Sequence, residues 1–112
     1  MSAVSWVDIG CIDDIPPRGA RCVVTPQGRI GVFRTADDRL FALQDSCPHK
    51  GGPLSQGIVH GSSVSCPLHG WAISLETGEA LGADQGQVPT VALKVEGRRV
   101  LLAMRRTAEE AA

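Results

Sequence analysis

At 112 residues the chain has the length of one domain, with 43% hydrophobic residues, 21% charged residues and a formal net charge of −1. That balance excludes a disordered chain, and eleven basic residues against twelve acidic ones leave no surplus to attract nucleic acid or an anionic membrane. The opening M-S-A-V-S-W-V-D-I-G has no basic start and no apolar run of signal length, and no stretch approaches the ~18 apolar residues of a membrane span, so a cytoplasmic protein is expected.

In chain order, Trp6 to Ile9 reads as a short strand. Ile12 to Gly19, with Pro16 and Pro17, reads as a loop. Ala20 to Thr25 and Arg29 to Thr35 are rich in β-branched residues and flank Pro26-Gln27-Gly28, which predicts a hairpin. Arg39 to Gln44 is a third strand. Ser46 to Gly57 holds two prolines and three glycines in twelve residues and predicts an irregular binding loop. Ile58-Val59-His60 and Val64-Ser65-Cys66 are expected to pair across Gly61-Ser62-Ser63. Trp71 to Leu75 is the next strand, closed by Glu76-Thr77-Gly78-Glu79, and Gly82 to Pro89 is a polar loop. Val91 to Val95 is expected to form one strand with Val91, Leu93 and Val95 on one face. Arg99 to Met104 is the last strand, before a tail at about 105–112 expected to be frayed or disordered. Short strands at regular spacing with no sustained helical period indicate an all-β domain over residues 1–112.

The chemistry concentrates at two Cys-His pairs, Cys47-x-His49 and Cys66-x-x-His69, with sixteen residues between His49 and Cys66. Two sulfur and two nitrogen donors on two Cys-Pro loops can hold either zinc or a [2Fe–2S] cluster with mixed ligands. Two thiolates and two neutral imidazoles bring an oxidised [2Fe–2S] core to zero net charge. All-thiolate ligation would leave it negative, so the mixed set makes the cluster the easier to reduce. One spacer residue in the first pair suits adjacent irons better than two corners of a zinc tetrahedron. No nucleophile–base pair, phosphate loop or paired-carboxylate site accompanies the four donors. His60 lies outside both pairs and reads as a hairpin residue. Cys11 and Cys22 could form a disulfide, but in a reducing compartment they read as two buried thiols.

C-P-H followed by C-P-x-H, with P-L-x-x-G after the first pair, resembles the Rieske family. The resemblance implies an antiparallel β-sandwich with a small cluster-binding subdomain made of two loops at about 46–71. It also implies one [2Fe–2S] cluster per chain, with Cys47 and Cys66 on one iron and His49 and His69 on the other. Relative to the members in cytochrome bc complexes, Gly52 and Leu68 stand where an inter-loop disulfide would be. Trp71 and Ile73 stand where hydroxyl donors to sulfur would be, which implies a lower potential. A closer resemblance covers C-P-H-K-G-G-P-L-S-Q-G, V-F-R-T, C-P-L-H-x-W and L-E-T-G-E-A. It is to the small subunits of bacterial assimilatory NAD(P)H-dependent nitrite reductases, although many of these have Asn where Gly70 stands.

That resemblance implies an electron-transfer subunit with no catalytic residue of its own. It would work beside a large siroheme- and flavin-containing partner that reduces nitrite to ammonium in nitrate assimilation. The alternatives are a free Rieske-type ferredoxin delivering electrons to a ring-hydroxylating dioxygenase, and a zinc-stabilised interaction module. The surface around Pro48, Lys50, Gly51, Pro53, Leu68 and Gly70 is the expected docking face.

Overall fold

The computed structural model describes residues 4–25, 28–46, 52–67, 70–81 and 86–105. Among the described residues ten strands form three antiparallel sheets: β1 (Val4–Cys11), β2 (Gly19–Thr25), β3 (Gly28–Arg34), β4 (Leu40–Gln44), β5 (Ile58–His60), β6 (Ser63–Ser65), β7 (Ala72–Ser74), β8 (Thr90–Val91), β9 (Leu93–Glu96) and β10 (Arg99–Arg105). The orders are β1-β10-β9, β2-β3-β4-β8 and β5-β6-β7. The expected all-β sandwich is what the chain forms. Among the described residues the helical elements are two single 3-10 turns, Ile12–Asp14 and Leu54–Gln56.

The four-stranded sheet lies between the other two, and its sequence shows why. A sheet buried on both faces reads as a continuous apolar run rather than an alternation. β3 buries Ile30, Gly31, Val32 and Phe33 in succession, and β4 buries Ala42 and Leu43. Alternate residues serve opposite layers. Ile30, Val32 and Ala42 pack with Ile15 and with Val100 and Leu102 of β10. Phe33 and Leu43 pack on the other side with Leu54, Val59, Val64, Cys66, Ile73, Leu75 and Val88. The second layer joins the central sheet to the two candidate ligand loops.

The hairpin expected of Ala20–Thr25 and Arg29–Thr35 is present, from Gly19↔Arg34 to Thr25↔Gly28, and β3 pairs in turn with β4, from Ile30↔Gln44 to Arg34↔Leu40. Arg34 fastens the loop before β2 to this sheet. Its side chain is 13% exposed, donates to the Ile15 carbonyl at 2.8 Å and pairs with Asp38 at 2.9 Å.

Three expectations change. β1 is eight residues long and carries a bulge between Asp8 and Gly10. The single strand expected at Val91–Val95 is two strands. Thr90 and Val91 pair with β4, whereas Leu93 to Glu96 pair with β10, so the chain changes sheets at Ala92. Val91 and Leu93 face the core, but Val95 is 41% exposed. In the β5–β6 hairpin Ser63 belongs to the strand and Cys66 follows it, because the pairs are Ile58↔Ser65, Val59↔Val64 and His60↔Ser63. Gly61 and Ser62 therefore make the turn. Of the tail, Arg105 ends β10, and 106–112 lie outside the described residues.

Phe33 is fully buried where the central sheet meets the loop-bearing sheet. Phe33→Ala is expected to cost about 3–5 kcal/mol, through lost burial and the cavity left behind. Val24→Ala, at a side chain 78% exposed, should change stability by less than about 0.5 kcal/mol. Urea unfolding of both variants checks this; equal midpoints would contradict the layer assignment.

Candidate metal centre

Two connections carry the candidate ligands. One leaves β4 and enters β5, and the other joins β6 to β7. Of the four donors, the described residues contain Cys66; Cys47, His49 and His69 lie outside them, as do Pro48, Lys50, Gly51 and Leu68. Within the described set no three His, Cys, Asp or Glu side chains come together as a metal site.

The second connection is held from below and from within. Val64 and Ile73 are fully buried partners across β6 and β7, and Ser65↔Ala72 is the last ladder pair before the loop. Beyond it the Cys66 amide donates to the Trp71 carbonyl at 2.7 Å, and the Gly70 amide donates to the Cys66 carbonyl at 2.9 Å. These two bonds tie Gly70 and Trp71 back to Cys66. Gly70 supplies the left-handed backbone this needs, at φ +71°. Cys66 is 3% exposed and packs in the inner core. Trp71 is half-buried against the same core, as expected of a loop cover. Ile73 is a core residue and offers no hydroxyl.

The first connection is anchored at both ends. Asp45, directly after β4, donates its amide to the Arg29 carbonyl at 2.9 Å. Its carboxylate is 7% exposed and accepts twice from Ser55: Oδ1 from the backbone N–H and Oδ2 from the hydroxyl, both at 2.6 Å. Ser55 sits in the 3-10 turn Leu54–Gln56, whose Leu54 is fully buried in the inner core. This Asp–Ser pair is absent from the sequence reading, which treated Ser46–Gly57 as irregular throughout. The available signal was an acidic residue closing an apolar strand two positions before a candidate ligand.

The two connections touch. A Cβ on Gly57 would lie 2.0 Å from the Ser65 carbonyl oxygen and 3.0 Å from its carbon. The exit of the first loop thus lies directly against the residue that precedes Cys66, at a separation only glycine permits. Of the expected docking face, Pro53 is half-buried and Gly70 exposed.

The remaining candidates lie elsewhere. His60 is exposed at the end of β5, with Nε2 2.9 Å from the Ser65 hydroxyl and Nδ1 3.2 Å from the Ser63 hydroxyl, the contacts of a hairpin residue. Cys11 and Cys22 are free thiols but not the buried pair expected. Cys11 is half-buried and donates to Asp13 at 3.5 Å. Cys22 is exposed, because β2 is an edge strand with a neighbour on one side only. Desolvation first, and the neighbouring Asp45 carboxylate second, push its thiol pKa up. An open groove lined by Leu40, Phe41, Leu75, Glu76, Thr90 and Leu93 lies apart from Cys66 and offers one titratable group, Glu76.

The Rieske [2Fe–2S] domain model matches residues 5–97. The chain is 31% identical over 101 residues to the ferredoxin component of the naphthalene 1,2-dioxygenase/salicylate 5-hydroxylase systems of a Ralstonia species, covering 89% of this chain and 96% of that protein. Among solved structures, the E. coli protein NirD is 26% identical with a TM-score of 0.80, over 91% of this chain and 98% of that one. A protein whose description proposes a nitrite reductase NADPH small subunit is 27% identical with a TM-score of 0.77, over 88% and 97%. The chain belongs to the Rieske [2Fe–2S] family. Its cofactor is the [2Fe–2S] cluster, which takes up and returns one electron when bound. The buried Cys66, its bonds to Gly70 and Trp71, and the Asp45–Ser55 pair at the ends of the first connection fit that group. Among the described residues no helix is long and apolar enough to cross a membrane.

Gly57→Ala must push the two connections apart. It is expected to leave less than about a tenth of the wild-type cluster content, read as visible absorbance per protein. His60→Ala should keep the wild-type spectrum. Full colour in the glycine variant, or bleaching in the histidine variant, would contradict the geometry.

Proposed function

We propose that this chain is the Rieske electron-transfer subunit of a bacterial assimilatory NAD(P)H-dependent nitrite reductase. In this reading Cys47 and Cys66 bind one iron, and His49 and His69 bind the other. The large partner carries siroheme and flavin, and reduction of nitrite to ammonium takes place there. The observation that carries the reading is the set C-P-H-K-G-G-P-L-S-Q-G, V-F-R-T and L-E-T-G-E-A. All three strings serve one piece of architecture. Phe33 of V-F-R-T fills the inner core, Leu54 of the first string joins it, and Leu75 of the third does the same. Whole-length likeness to NirD and to the protein described as a nitrite reductase small subunit supports the assignment.

This chain's part is to hold and present the cluster. The inner core holds Leu54 and Cys66, at the ends of the two connections. A second reading, a ferredoxin serving a ring-hydroxylating dioxygenase, is favoured by the 31% identity to the Ralstonia ferredoxin component.

Deleting the gene tests both. The proposal predicts loss of growth on nitrite as sole nitrogen source and normal growth on ammonium. It also predicts co-purification of the tagged chain with a siroheme protein. Normal growth on nitrite, together with reduction of a terminal oxygenase by the purified chain, would overturn it in favour of the second reading.

A further inference from the structure

We propose that Asp45 is a positioning residue for the cluster, acting through Ser55 as a clamp at the base of the first ligand loop. The inference rests on the Rieske reading of Cys47 and His49 and extends it to a residue outside the ligand set. The core is left at Asp45 and joined again at Leu54 and Ser55, and in sequence both candidate ligands of that loop lie between them. Asp45 is fixed from behind, because its amide is bonded to Arg29 of β3. Its carboxylate is 7% exposed, and each oxygen takes one bond from Ser55 at 2.6 Å. Bonds of that length to a carboxylate are the strong, charge-assisted kind.

The turn at Leu54–Gln56 has Pro53 at its N-cap, which makes no side-chain cap. Asp45 takes over that role from the other end of the loop by accepting from the Ser55 amide. One carboxylate thus fixes the separation of the loop's ends and satisfies an N–H that the proline leaves open. Cys22, paired with Gly31 across β2 and β3, borders the same carboxylate from the edge strand. Buried charge two residues from an iron-bound thiolate also acts on the cluster through space. A negative charge there favours the more positive, oxidised state.

The test uses the cluster-loaded protein and three variants. Ser55→Ala removes one bond and keeps the charge. Ser55→Thr keeps both donors. Asp45→Asn removes the charge and replaces one acceptor by a donor. The clamp predicts that Ser55→Ala and Asp45→Asn lose iron to a chelator about tenfold faster than wild type, while Ser55→Thr stays close to wild type. It predicts further that the reduction potential, read by protein-film voltammetry, becomes more positive in Asp45→Asn and does not rise in Ser55→Ala. A merely structural contact would speed iron loss without separating the two potentials. Iron loss at the wild-type rate in Ser55→Ala, or equal potentials in Asp45→Asn and wild type, would overturn the proposal. If Asp45→Asn assembles no cluster, the pair Ser55→Ala and Ser55→Thr decides it: equal rates refute the clamp. A colourless wild type would instead refute the cluster reading itself.

Discussion

The backbone contact between Gly57 and the Ser65 carbonyl is the constraint on which the site depends. Two loops separated by a hairpin in sequence can share a metal centre only if their bases are held together. Here the exit of the first loop and the entry of the second meet with no room for a side chain. The contact is sustained by burial beneath it. Leu54, Val59, Val64, Cys66 and Ile73 are parts of one core that includes Phe33 and Leu43 of the central sheet. The separation of the two connections' described ends is therefore set by the packing of the sheets.

This arrangement suits an electron carrier. Rigid loop bases limit how far the ligands can move when the cluster changes charge, and a small rearrangement favours fast transfer. Trp71 and Ile73 bring no hydroxyl near the second loop, and Asp45 places a carboxylate below the first.

The hairpin of β2 and β3, the strand before the first loop and the hairpin before the second follow from β-branched runs bounded by glycine and proline. R-I-G-V-F-R-T reads as buried on both faces because its apolar residues are contiguous. Less legible was anything decided by which sheet a residue joins. Val91 to Val95 alternates like one strand, yet Ala92 is where the chain crosses from one sheet to another, so Val95 turns outward. Cys22 lies in an apolar run, and its exposure follows from β2 being an edge. The donor pattern is visible as spacing; of the four donors Cys66 is the one among the described residues, and it is buried in the inner core. The Asp45–Ser55 clamp was not visible, because local patterns do not report a side chain reaching ten residues along the chain to the far end of its loop.

The central claim, that two imidazoles and two thiolates share one cluster, is tested most directly by the midpoint potential as a function of pH. A ligand imidazole keeps one nitrogen that can release a proton, and the oxidised cluster, being more positive, releases it at lower pH than the reduced one. Between those two values deprotonation favours oxidation. The account therefore predicts a potential that falls steadily as pH rises through the alkaline range. A potential flat across that range would contradict histidine ligation and, with it, the reading of this chain's site.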